Sequence, residues 1–191
     1  RNRGRLYFRE NGNGEPVELA NYRLGGGAGV RDIAVDPFDF KKIVVIDALG
    51  QVWKSVDPLP GQPFTTVTFK NITGTLFDLT KGDVRSVEIV NVSANPGDET
   101  LLVGGLGGVF QLHEIPLQLG EPKFRSDFQW AKIGSGLPSV LVNDVHYDRA
   151  DDILIAGTWG RGIWSIQPFS IQPDVFPPNG EGGLGGAGSV T

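Results

Sequence analysis

One eight-residue pattern occurs three times in this chain, and no other feature restricts the fold as much. The copies are VRDIAVDP (residues 30–37), VRSVEIVN (84–91) and VNDVHYDR (142–149). Their leading valines, Val30, Val84 and Val142, are spaced by 54 and 58 residues. Each copy is followed by a polar turn and a second apolar run: IVVID (43–47), TLLVGG (100–105) or ILIAGT (153–158). A glycine turn and a third run come next, with Trp53, Phe110 or Trp164 at one fixed place. Fourth runs follow at 64–74 and 128–134. The N-terminus supplies an incomplete earlier copy, in which GRLYFRE (4–10) matches the third run and VELANYRL (17–24) the fourth.

These runs are short, rich in Val and Ile, and bounded by Gly, Pro, Asn and Asp, the pattern of strands and turns. The chain is therefore expected to be all-β. Four short antiparallel strands per unit, recurring at this period, predict β-propeller blades, because a lone four-stranded sheet cannot bury both of its faces. The strands count as two, four, four and three, or about three and a quarter blades; FSIQPDVF (169–176) offers a fourteenth strand. Propellers close with about four to eight blades. The expectation is the C-terminal part of a larger propeller, completed by the remaining blades of a parent protein or by an assembly partner. The boundaries read as 1–176 for the propeller segment: 1–24 the end of one blade, 25–74 and 75–134 two blades, and 135–176 an incomplete last blade. Residues 177–191 read as a Gly-rich linker or tail.

Composition narrows the partners. The net charge of −5 argues against a nucleic-acid surface. The chain has no Cys, which excludes disulfides, thiol nucleophiles and zinc–thiolate sites. No apolar run is long enough to span a membrane. There is no Met, even at position 1, so the chain is expected to be a piece or processed form of a longer polypeptide.

The runs VRDIAVDP, IVVID and GQVWKSVD, and the stretch LPSVLVNDVHYDRADDILIAGTWGRGIWSI, resemble blades of the sialidase-type (Asp-box, or BNR-like) propeller repeats. Those repeats occur in sialidases, xyloglucan hydrolases, sortilin-type receptors and many large bacterial secreted proteins. The resemblance covers roughly residues 1–168 and implies an extracellular or cell-surface setting. The Asp-box itself is matched by Ser55, Asp57, Gly61 and Phe64, with two extra residues before Gly61; the other copies lack it. By resemblance these are structural turn residues, with Ser55 and Asp57 bonding turn backbone.

In a propeller, the turns between second and third strands share one face with the connections between blades, and that face hosts ligands. The candidates there are Asp32, Asp47, Asp78, Asp83, Arg85, Asp144, Trp159 and Arg161. A glycosidase needs two carboxylates flanking a sugar. Asp32 and Asp144 are repeat equivalents, with Ser86 as the third, and such repetition reads as a polar rim. No catalytic residue is assigned. On the opposite face Asp148, Asp151 and Asp152 are weak candidates for calcium, without the loop spacing that calcium sites use; no other cofactor is implied. His146 lies inside an alternating run and is expected to be a satisfied structural residue. Three functions follow: a non-catalytic extracellular scaffold or binding module for protein or glycan, part of a secreted glycan-active hydrolase, or a subunit of a cell-surface filament or layer.

Overall fold

The computed structural model describes residues 4–9, 12–91, 99–114, 128–134 and 136–169. The described residues form an all-β fold of four antiparallel sheets, none of them closed. A two-stranded sheet pairs β1 (Tyr7–Phe8) with β2 (Val17–Glu18). A four-stranded sheet follows in the order β3 (Val30–Val35), β4 (Ile43–Asp47), β5 (Val52–Val56) and β6 (Thr68–Asn71). The third is β7 (Val84–Asn91), β8 (Glu99–Gly105), β9 (Gly108–Glu114) and β10 (Phe128–Ile133). The last has three strands, β11 (Val142–Asp148), β12 (Ile153–Thr158) and β13 (Gly162–Ile166). Sequence neighbours pair throughout, and short turns join β4 to β5, β8 to β9, β11 to β12 and β12 to β13.

Each gap between successive sheets holds one apolar core. Leu6, Leu19, Tyr22, Val45, Trp53 and Val67 fill the first. Val44, Ile46, Val52, Val87, Ile89 and Phe110 are among those filling the second. Leu102, Val109, Val145, Tyr147, Leu154 and Ala156 are in the third. Alternate residues of β4 and β8 thus point into different cores, and β4 is buried at every position. That is how a sheet covered on both faces reads in sequence. The fixed aromatic has one register throughout: Trp53 opposes Val45, Phe110 opposes Val103 and Trp164 opposes Ala156. Trp53 and Phe110 are buried, and Trp164 is only half-buried.

The first strands of the sheets, β3, β7 and β11, contact one another in turn. All three shift register at the same place, between Val30 and Asp32, Val84 and Ser86, and Val142 and Asp144. Such a bulge turns a side chain out of the pleat. Here it aims an oxygen at the next sheet. Close approach also demands glycine: a Cβ on Gly104 would lie 2.7 Å from a Val145 methyl carbon.

One sequence expectation changes. VELANYRL does not run as a strand: only Val17–Glu18 pairs, and Ala20–Leu24 forms α1, a single helical turn. Helical spacing lets buried Leu19 and Tyr22 enter the same core, three residues apart, and sets the Tyr22 ring against Trp53 and Phe69. A second short helix, α2 (Leu76–Thr80), makes the equivalent connection from β6 to β7 and buries Leu76. Of the fourteenth strand expected at 169–176, Phe169 is described and buried; the rest, with the 177–191 tail, lies outside the described residues.

Candidate functional site

The bulge residues join the sheets. The Asp32 carboxylate accepts the Val87 backbone N–H at 2.8 Å, and the Ser86 hydroxyl oxygen accepts the Val145 N–H at 2.8 Å. Both donors are the residue just after the bulge of the following sheet. Asp32's other oxygen accepts its neighbour's N–H, from Ile33, at 2.9 Å. Asp32 is thereby committed to backbone on both oxygens. Asp144, its equivalent, is exposed, and among the described residues no donor bonds it. The two carboxylates do not form a matched catalytic pair.

Beside this line, Glu88 of β7 faces His146 of β11, with 3.7 Å between Oε2 and Nδ1. Burial pushes the Glu88 carboxyl up to about 7; Asp144 and Asp32 add to the rise, and His146 opposes it. His146 is exposed on its strand, with Glu88 as its partner. Arg31 donates to the Val84 carbonyl and lies 3.8 Å from Asp83, which also pairs with Arg85. Asp83 and Arg85 therefore hold the entry to β7, with Arg31 reaching across from the sheet before.

Asp47 is fully buried and is a turn residue. One oxygen accepts the N–H groups of Leu49 and Gln51, and the other accepts Ala28 N–H and the Trp53 indole N–H. With four donors satisfied, it has no lone pair left for a ligand. Asp78 stands exposed on α2.

Trp159 and Arg161 sit exposed at the β12–β13 tip, where the Arg161 carbonyl accepts the Trp164 indole N–H at 3.0 Å. That tip has counterparts that sequence reasoning missed. Leu49 and Leu106 are exposed at the β4–β5 and β8–β9 tips, and Phe77 and Leu79 are exposed on α2. The tips are pinned alike: Ala48, Leu106 and Trp159 donate their backbone N–H to the carbonyls of Gly29, Asp83 and Leu141, just ahead of each first strand. They also adjoin one another. Gly50 (φ 74°) packs so close to Gly82 that a Cβ would sit 2.0 Å from the Gly82 carbonyl oxygen, and Gly82 lies under the Phe77 ring. The Gly107 N–H then bonds the Val140 carbonyl at 3.2 Å. The result is a rim of exposed Leu, Phe and Trp along one end of the stacked sheets. The available signal was an apolar residue at each hairpin tip, where turn chemistry otherwise favours polar ones.

The remaining candidates are structural. Ser55 accepts the Ile43 N–H and donates to the Lys41 carbonyl, so it ties β5 to the β3–β4 turn and not to its own. Asp57 is exposed and bonds nothing among the described residues, so the turn bonding implied for it is not made. Gly61 has φ 83°, and Phe64 stacks edge-on against Phe8 at 4.8 Å. Asp148 accepts the Ala150 N–H, and Asp152 accepts the Tyr147 hydroxyl at 2.9 Å. Asp151 is exposed, and among the described residues no group of three acidic or histidine side chains is placed to hold a metal ion. Among those residues no helix is long and apolar enough to cross a membrane.

No protein-family model matches this chain, and no curated protein matches it.

Proposed function

We propose that this chain is an arc of a β-propeller that serves, without catalysis, as a scaffold and binding module for a protein partner. The observation that carries the reading is the rim of Leu49, Leu106 and Trp159 at the hairpin tips of successive sheets, with Phe77 and Leu79 on α2 between them, all exposed and with the tips pinned by backbone hydrogen bonds. Contiguous exposed apolar side chains mark interaction surfaces, and Leu and Phe suit a protein better than a sugar. The propeller reading is supported by three successive sheets that share one bulge position and one way of bonding the next. An extracellular setting rests on the resemblance to sialidase-type repeats and belongs to the same proposal. The hydrolase alternative draws no support from the carboxylates, because Asp32 is committed to backbone N–H groups.

The test is to pan the chain against a displayed library of twelve-residue peptides and against a glycan array, with hydrolysis assays run in parallel. Apolar peptides are expected to enrich and to bind the Trp159→Ser/Leu106→Ser double variant at least about tenfold more weakly. Glycan turnover that disappears in Asp144→Ala would overturn the reading. So would peptide binding that is indifferent to the rim variant.

A further inference from the structure

We infer that the rim takes an extended peptide with an apolar side chain at every third position and acidic residues between, one anchor resting on each sheet. The inference rests on the protein-binding reading of the rim and names the kind of partner. Leu49, Leu106 and Trp159 stand at the hairpin tips of successive sheets, one large apolar side chain per tip. Packed sheets are about 10 Å apart. Close packing holds here, where a Cβ on Gly104 would lie 2.7 Å from a Val145 methyl carbon. An extended chain of the polyproline type returns to the same face every third residue, about 9 Å along. It therefore sets one side chain in every three against successive tips. A β-strand returns to the same face every second residue, at about 7 Å, and falls short. The tip N–H groups of Ala48, Leu106 and Trp159 are already given to the carbonyls of Gly29, Asp83 and Leu141. Those groups are closed to strand pairing with a ligand, so side chains must supply the grip.

Charge sets the residues between the anchors. Lys81 closes α2 in the left-handed conformation, Lys132 lays its alkyl chain beside Gly108 at the β8–β9 turn, and Arg161 shares the β12–β13 tip with Trp159. All three are exposed. Lys81 and Arg161 make no ion pair among the described residues, and Lys132 donates to the neutral Ser139 hydroxyl at 2.9 Å. The acids nearby are engaged elsewhere. Asp47 is buried under its four N–H donors, and Asp83 is paired with Arg85 and faced by Arg31. Asp144 sits lower, within β11 opposite Gly157, and Asp78 stands exposed on α2. Lys81, Lys132 and Arg161 against Asp78 favour acidic spacers in the ligand, although the whole chain carries a net charge of −5.

Fluorescence polarisation with labelled synthetic peptides on the full chain tests this. The probes are peptides of leucine, glutamate and proline, alike in composition, with leucine at every second, third or fourth position; a further probe carries lysine for glutamate at period three. The period-three glutamate peptide is expected to bind at least about tenfold more tightly than the other spacings, and at least about threefold more tightly than its lysine counterpart. The Lys81→Glu/Arg161→Glu variant is expected to reverse the charge preference and keep the spacing preference. Equal affinity across the spacings would overturn the inference, as would a charge preference unchanged in that variant, or a period-three peptide that does not bind. The Trp159→Ser/Leu106→Ser variant separates the two claims. Binding that it abolishes, but that ignores spacing and charge, overturns this inference and keeps the rim; binding that it leaves intact overturns the rim itself. Melting temperatures check that the variants fold, and Lys81→Gln/Arg161→Gln, expected to abolish the charge preference, replaces the reversal if that melts early.

Discussion

The third and fourth sheets are built from the same pattern and end in different states. Phe110 and Trp164 share a register position, yet Phe110 is buried and Trp164 is half-buried with its indole turned to a local carbonyl. Val109 is buried where Ile163 is exposed. For Val109 and Ile163 the difference is the neighbouring sheet: among the described residues β7–β10 lies between two sheets and β11–β13 has one on one side only. Phe110 instead faces the preceding sheet, and what Trp164 lacks among the described residues is a fourth strand beside its own, as β10 lies beside β9. In this fold a side chain's burial is a property of the stack before it is a property of the strand.

That contrast can be broken by paired substitutions. The largest difference is expected at the aromatic position. Phe110→Ala should cost about 3–5 kcal/mol, as for a buried aromatic, and Trp164→Ala under about 1.5 kcal/mol, measured by urea unfolding. Equal losses would mean that the last sheet is as well covered as the third. The bulge residues come next. Asp32→Ala removes the acceptor of the Val87 N–H and should cost about 1–2 kcal/mol, whereas Asp144→Ala should stay within about 0.5 kcal/mol.

The smallest effect is on pH dependence. Glu88 titrates at about 7 in the folded protein, above the ordinary value of 4.5. The folded state therefore holds this proton over a range where the unfolded chain has released it. The contribution is favourable below 4.5 and is lost as pH rises toward 7 and beyond. The groups facing Glu88 are His146, Asp144 and Asp32. Glu88→Gln should flatten the decline in melting temperature between pH 5 and pH 8, in a titration run on both proteins; an unchanged decline would remove Glu88 as its source.

Much of this was legible in the chain. The strand order, the grouping into two, four, four and three, and the common register of Trp53, Phe110 and Trp164 follow from spacing and turn residues alone. Other features were not. A single helical turn such as α1 is too short to show periodicity, so Tyr22 read as a strand residue. Asp47 was legible only as a polar residue near a turn; that four donors converge on it depends on Ala28 and Trp53, which the turn sequence does not mention. The exposure of Ile163 could not be read locally, because its strand matches those of Val52 and Val109. The hairpin-tip leucines were overlooked for a related reason, since each alone is an ordinary surface residue and only their alignment makes a rim.

The central claim, that one bonding rule joins the successive four- and three-stranded sheets of the described residues, is most directly tested by amide hydrogen exchange on the chain. Val87 and Val145 N–H groups, held by Asp32 and Ser86, should exchange slowly, and the Ile33 N–H at least about 100-fold faster, as for a locally exposed group. Asp32→Ala should release Val87 and leave Val145 protected. Equal protection at Ile33, Val87 and Val145 would contradict the account.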